Sequence, residues 1–592
     1  MEGQKNKKKQ SICSKRPKYA GKASKFAQQL EYEIPEGLTV SSIAPDAVEV
    51  RRKLRSTNML EFQNIEDKMN FNANYTMDRR RRFYRPVVKI LKSSGLEKPE
   101  VLIGNKEYQT VIHHYPEMAQ LLPSGKVMLD FGSSFHGGIR INTVGKGSCF
   151  RIKFGESVSE AAGSSNQDCS RKDALVELPT SGMLEYGNTV FRFVEITNEG
   201  ETAVSLLNII GVALECDLDV TGSFESSDAR LNDIWKTAVR TVHLCMQDYI
   251  YDGAKRDRIV WMGDMHPEIK GILCAFSDTS IIRDSFEFLI RQAPADKPMN
   301  QIYTYSCWFI ISVWDYFLVS GDKTFLARHA DYFELMLKTF SAFIAENGSE
   351  CIPERRFLDW PNNDDLEAKH AGIQALLYWM MQAGEKILHT LGRKTEFLRQ
   401  AQEKLKTHLP NPSGRKAPAA LLHLTGFSDG TKVLENDPFN GVSTFYGYYV
   451  LQAKQTIPAL ELIRRYWGGM LDFGATTFWE DFDLAWTRNA SRIDDYPHSG
   501  QADLHADFGQ YCYRGLRHSL SHGWSCGPAP FLSERVLGVR FVAPGQVHIS
   551  PDLGDLHYVR GSVPVPGGVI TVEADQKGFS YSLPAGIQRI GN

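Results

Sequence analysis

At residue 224 the hydrophobic period of this chain changes, and that change constrains the fold more than any composition figure. Up to about residue 222 apolar and polar side chains alternate. From Ser227 the apolar ones recur at three- and four-residue steps for roughly 310 residues, until alternation returns at 536. The two patterns cannot share one kind of element, so the chain passes from β structure into a large all-α body and back. In Ser227-Asp228-Ala-Arg-Leu-Asn-Asp-Ile-Trp the Ser/Asp pair predicts a helix cap. Leu231, Ile234, Trp235, Ala238, Val242 and Cys245 then share one face. The same periodicity predicts helices at 265–278, 280–293, 302–319, 323–346, 366–391, 393–407, 440–454, 457–472 and 506–534. Two connections, 350–365 and 473–505, are long and rich in Asp, Trp and Asn, the composition and length of site-forming loops.

The flanks are strand-like. Lys126–Phe131, Gly138–Asn142, Phe150–Phe154 and Phe191–Ile196 alternate and are separated by Gly/Ser/Asn punctuation, which predicts an antiparallel sandwich; the glycine-rich Phe131–Gly138 stretch reads as one of its turns. Beyond 536, four further alternating runs and a Gly567-Gly568 turn signal predict a small C-terminal β domain. The layout is a basic, disordered tail at 1–27, a β-sandwich region at 28–222, a helical domain at 223–535 and a β domain at 536–592.

Charge narrows the functions. Residues 1–25 hold nine Lys/Arg against Glu2 alone, so with a net charge of −2 overall the rest of the chain carries −10. An acidic body does not release counterions from a phosphate backbone, and a nucleic-acid partner is excluded on that ground. No apolar run reaches membrane-spanning length, so no membrane partner is expected. The ten cysteines form no Cys-x-x-Cys pair, and with no secretory signal the reading is reduced thiols and a cytoplasmic protein.

The densest polar cluster runs from Tyr251 to Glu268 and includes Asp252, Arg256, Asp257, Arg258, Trp261, Asp264 and His266. Such a mixture either perturbs its own pKa values beside a stacking surface or forms a surface salt-bridge loop. Trp479-Glu480-Asp481 and Asp359-Trp360 repeat the pairing of acid and indole, although the former also fits a capping turn. Three such pairings match a carbohydrate cleft, where carboxylates act on the glycosidic oxygen and on water while indoles cover apolar sugar faces. No phosphate loop, His-Glu-x-x-His zinc helix or Gly-x-Ser-x-Gly elbow is present. His113-His114 reads as structural. His518 and His522, spaced i, i+4 on the predicted helix, lack an acidic third ligand there, so His522 is read as a polar lining residue and neither metal nor cofactor is expected.

Asp252-Gly-Ala-Lys-Arg256-Asp257-Arg-Ile-Val-Trp261-Met-Gly-Asp264 resembles the acid-bearing motif of the bacterial α-L-rhamnosidases of glycoside hydrolase family 78, and Ala475-Thr-Thr-Phe-Trp-Glu480 resembles their second signature. Ser519-Leu-Ser-His522-Gly-Trp-Ser and the segments from Ala543 to Gly567 are similar as well, in the same order along the chain. The resemblance implies an (α/α)6 barrel between β-sandwich domains, and inverting hydrolysis of a terminal α-L-rhamnosyl or similar α-L-sugar bond. It further implies Glu480 as general base, and Asp252, Arg256, Trp261 and Asp264 at the sugar-binding end. Asp257 stands where the family usually carries its general-acid Glu and is read as the acid, one methylene shorter in reach. Asp359, Trp360, Trp479 and His522 complete the candidate sugar-binding set. The alternatives are another (α/α)6-barrel enzyme such as an unsaturated uronyl hydrolase, or a non-catalytic carbohydrate-binding relative. A carbohydrate is the expected partner, with a homodimer as a further possibility.

Overall fold

A computed structural model describes residues 78–104, 117–163, 172–511 and 513–591. The basic tail and the His113-His114 pair lie outside the described residues.

The first layer is a seven-stranded antiparallel sheet. Its strands are β1 (Arg80–Pro86), β2 (Lys89–Glu97), β3 (Ala119–Val144), β4 (Cys149–Gly155), β5 (Lys172–Glu177), β6 (Gly182–Asn198) and β7 (Val204–Cys216). The order is β1-β7-β3-β6-β4-β5, with β2 also on β3. Leu206 of β7 faces Ala119 on one side and Thr143 on the other, so both ends of β3 flank the same stretch of β7 and the sheet folds over. Inside the fold Phe135, Phe150, Phe154, Phe191, Ile139 and Ile196 are buried in a core separate from that of the helices. The glycine-rich Phe131–Gly138 stretch is not a reversal between strands. It is an irregular bend inside β3, where the register with β6 shifts between Asp130 and Phe135.

Helix 229–245 opens the α region as its cap predicts, with the Asp228 carboxylate accepting from the Arg230 and Leu231 amides. Helices follow at 262–275, 280–292, 303–320, 366–390, 396–406 and 456–472. Three expectations fail. The 323–346 stretch is two helices, 323–328 and 330–341, broken at His329, and 440–454 is helical only over 447–453. The predicted helix 506–534 is mostly irregular: two short 3-10 turns, 515–517 and 523–526, precede helical turns at 528–536. Gly515 is held at φ 54°, a left-handed position, and Pro528 and Pro530 cannot donate to a helix ladder. Helix 416–424 lies in a stretch for which the periodicity predicts no helix.

The C-terminal strands are 539–543, 546–549, 558–565, 568–575 and 578–582. They do not stand apart. Strand β8 (Ser223–Ser226), which precedes the first long helix, pairs with the 558–565 strand, Ser226 facing Val559 and Ser223 facing Ser562. One continuous core runs from Leu231 and Trp308 through Trp467 to Val547, Val563 and Ile570. Cys149, Cys216, Cys245, Cys274, Cys307, Cys351 and Cys526 are free thiols. Among the described residues no helix is long and apolar enough to cross a membrane.

Candidate active site

Three segments that are distant in sequence meet at one end of the helical body: the turn 252–264, the turn 474–483 after helix 456–472, and the irregular stretch 513–524. Together with the stretch 355–363 and the start of helix 303–320 they enclose a cavity of about 330 Å³. The first turn is closed by Asp252, whose amide donates to the Ile259 carbonyl at 3.1 Å and whose Oδ1 accepts from the Ile259 amide at 3.0 Å. Closing it so tightly places Asp257 and Arg258 at φ 54° each, a conformation that costs non-glycine residues energy and marks a constrained site.

Arg256 and Glu480 form the centre. Arg256 Nη2 donates to Glu480 Oε1, Nη1 lies 3.2 Å from Asp257 Oδ1, and Nε donates to the Arg517 carbonyl at 3.0 Å. Glu480 is pinned at both ends. Its amide donates to the Ser519 carbonyl at 2.9 Å, its Oε2 accepts from the Ser519 amide at 3.0 Å, and its carbonyl accepts from Thr444 Oγ1 and Trp524 Nε1. Burial pushes the Glu480 carboxyl up, and the Arg256 guanidinium and Ser519 amide pull against that.

Asp252, Asp264 and His522 form the floor. Burial and the neighbouring Asp264 push the Asp252 carboxyl well up; burial, Glu480 and Asp257 do the same to Asp264. Both shifts favour the protonated carboxyl. Burial and the Arg256 charge push the His522 imidazole well down, so it is neutral. Its Nε2 lies 3.9 Å from Asp252, 4.0 Å from Asp264 and 3.6 Å from Glu480, and its ring lies 4.1 Å from that of Trp524. One donor atom from each of Asp252, Asp264 and His522 falls within 4.8 Å of the others, a spacing that would accept a cation. A cation there would compete with the protons that burial favours on these two carboxyls.

The predicted Asp252, Arg256, Asp257, Trp261, Asp264, Trp360, Glu480 and His522 all line this cavity. Asp359 and Trp479 do not. Asp359 is buried behind the wall, accepts from Ser443 Oγ at 2.8 Å, and is pushed up to about 7 by burial. Trp479 packs edge-on against Phe482, their centroids 5.4 Å apart. Both belong to acid-indole pairs in which only one partner can face the cavity. His518 does not ligate beside His522, since its Nε2 accepts from the Asp481 amide at 2.9 Å.

Tyr305, Arg356, Phe357, Tyr513 and Trp524 also line the cavity and were not singled out in the sequence. Tyr305 is hidden in an apolar helical run that reads as core. Phe357 and Arg356 are brought in because the Tyr303 amide donates to the Arg355 carbonyl at 3.2 Å and the Phe357 amide to Thr304 Oγ1 at 3.2 Å. Their signal was their place just ahead of Asp359-Trp360. A wider recess of about 720 Å³ shares Arg355 with the cavity and has Phe288, Tyr303 and Lys297 in its walls, with Glu354 its one carboxylate.

Residues 219–405 match the model of the bacterial α-L-rhamnosidase six-hairpin glycosidase domain. No curated protein matches the chain. Among solved structures it is similar to the GH78 family rhamnosidase of Bacillus sp. GL1, at 20% identity and TM-score 0.63, covering 81% of this chain and 54% of that one. It is similar to a rhamnosidase from Klebsiella oxytoca with rhamnose bound, at 20% identity and TM-score 0.62, covering 76% and 95%. The Streptomyces avermitilis α-L-rhamnosidase complexed with L-rhamnose follows at 15% identity and TM-score 0.63, covering 85% and 50%. The chain thus spans about half the length of the first and third. At these identities the likeness is one of fold.

Proposed function

We propose that the chain, whose residues 219–405 match the bacterial α-L-rhamnosidase six-hairpin glycosidase domain and whose fold is similar to that of the GH78 family rhamnosidase of Bacillus sp. GL1, is an inverting glycosidase that releases a terminal α-L-rhamnosyl or similar α-L-sugar residue. The observation that carries this reading is the shared guanidinium: Arg256 contacts Glu480 through one terminal nitrogen and Asp257 through the other. A rigid fork holds the two carboxylates within roughly 8 Å of each other, close enough to flank one glycosidic bond; that bound admits the roughly 6.5–9.5 Å of inversion and the roughly 5 Å of retention alike, so the product anomer decides between them. In this reading Glu480, kept ionisable by Arg256 and the Ser519 amide, is the general base, and Asp257 protonates the leaving oxygen. The floor of Asp252, Asp264 and His522 exchanges hydrogen bonds with sugar hydroxyls, and Trp261 and Trp360 cover apolar sugar faces. The recess beyond Arg355 receives the leaving group. The helical hairpins would close as an (α/α)6 barrel, with the folded sheet as a β-sandwich.

A second reading of the acid has its own observation. Asp264 is buried and its carboxyl is pushed well up by burial and by Glu480, whereas the Asp257 side chain is 38% exposed and faces Arg256. The test is hydrolysis of a panel of aryl glycosides that includes an unsaturated uronide, with the product anomer followed by NMR. Release of the β-anomer of L-rhamnose from the α-glycoside supports the proposal; retention, cleavage of the uronide alone, or sugar binding without release overturns it. Asp257→Asn and Asp264→Asn on a substrate with a poor leaving group then decide the acid, since only loss of the true donor should lower kcat by about 10²–10⁴-fold.

A further inference from the structure

The stretch 516–520 forms little secondary structure, yet each of its residues makes a fixed backbone contact. Lys255 Nζ donates to the Leu516 carbonyl at 2.7 Å and the His518 carbonyl at 2.9 Å, while the adjacent Arg256 takes the Arg517 carbonyl between them. The next two amides diverge. That of Ser519 goes to Glu480, and that of Leu520 goes to Glu156 Oε2 at 2.7 Å. Glu156 belongs to the folded sheet, just after β4. There, Glu160 Oε1 lies 2.8 Å and Glu156 Oε2 3.5 Å from Lys255 Nζ, all three side chains being nearly inaccessible to solvent. Ser157 Oγ lies 2.7 Å from His505 Nδ1, whose Nε2 lies 2.9 Å from the His518 carbonyl.

We propose that Glu156 and Lys255 are positioning residues: the folded sheet uses them to hold 516–520, and through it the Arg256–Glu480 pair, in register. The proposal rests on the reading of Glu480 and Arg256 as reaction machinery. Arg256 and Glu480 each share this segment with a residue that the sheet holds directly. If the segment shifts, both partners lose a hydrogen bond at once, and a displacement on the order of 1 Å at a reacting centre costs about 10²-fold in rate.

Lys255→Met strands two buried carboxylates and risks misfolding, so the Glu156 variants carry the test. Glu156→Gln keeps an acceptor for the Leu520 amide; Glu156→Ala removes it. On an α-L-rhamnosyl aryl glycoside kcat should fall about tenfold or more in the alanine variant and within about threefold in the glutamine variant, with KM within about threefold in both. Amide hydrogen exchange followed by mass spectrometry should be faster across 516–522 in Glu156→Ala and unchanged across helix 366–390. Unchanged exchange across 516–522, or unchanged kcat in Glu156→Ala, overturns the proposal. Should the unsubstituted protein hydrolyse no glycoside, the functional reading falls, and the exchange measurement still decides whether Glu156 holds the segment.

Discussion

Glu480 is fixed by Arg256 at one oxygen and by the Ser519 amide at the other, so Glu480→Gln keeps the side chain's size and one acceptor, loses the charge, and turns an NH2 toward one of these two donors. A general base so replaced should cost about 10³-fold or more in kcat with KM little changed, read by steady-state kinetics; a loss smaller than tenfold would remove Glu480 from the role. Asp359 makes a different prediction because it lies behind the wall. Its carboxyl is pushed up to about 7 by burial, so between about pH 4 and 7 the folded chain keeps a proton that the unfolded chain has released. The stability it contributes is full below the ordinary carboxylate range and is lost as pH rises through 7. Asp359→Asn preserves an acceptor for Ser443 and cannot ionise. Urea unfolding from pH 4 to 8 should therefore show a flatter decline in the variant, with ~1.4 kcal/mol at stake for each pH unit of the window. Parallel curves would mean that other buried acids dominate.

The 513–524 segment shows how far element-level sequence reasoning reaches. Alternation and three-to-four spacing located the strands and most helices, because those elements satisfy their backbone groups locally and only their faces depend on the rest of the chain. Leu516, Leu520 and Trp524 mimic a helical stripe, yet the carbonyls and amides of 516–520 go to Lys255, Arg256, Glu480 and Glu156. Nothing in the local spacing announces partners that lie 39 to 364 residues away. The same limit explains the candidate site. The motif around Asp252–Asp264 and the acid-indole pairs named seven cavity residues and the 518–522 stretch an eighth, His522, whereas Tyr305 and Trp524 needed the three-dimensional meeting of segments to be told from core. Close approach inside the segment is itself testable. A Cβ on Gly523 would stand 1.7 Å from Glu268 Oε1, which is buried beneath it. Gly523→Ala should destabilise the protein by about 1–3 kcal/mol in denaturant titration and lower activity by displacing the adjoining His522. Wild-type stability would show that Glu268 can turn away.

At the scale of the molecule, the last strands belong to the same core as the helices, with Val547, Val563 and Ile570 packed in continuity with Leu231 and Trp467. Removing residues 536–592 therefore strips one wall from the helical body and leaves β8 without a partner. The shortened chain should lose its cooperative thermal transition or partition into aggregates, as seen by circular dichroism and size-exclusion chromatography. A truncated monomer that melts like the full chain would show that the C-terminal strands are dispensable.

The pairing of β8 with the 558–565 strand also sets a timetable. Ser226 and Val559 face each other across the sheet, and at about 5–20 residues per second a ribosome takes roughly 15–70 s to travel from one to the other. During that interval the nascent polypeptide has an open strand edge at the entrance to its longest helical stretch. It must either stay soluble unassisted or be shielded by a chaperone until the closing strand emerges.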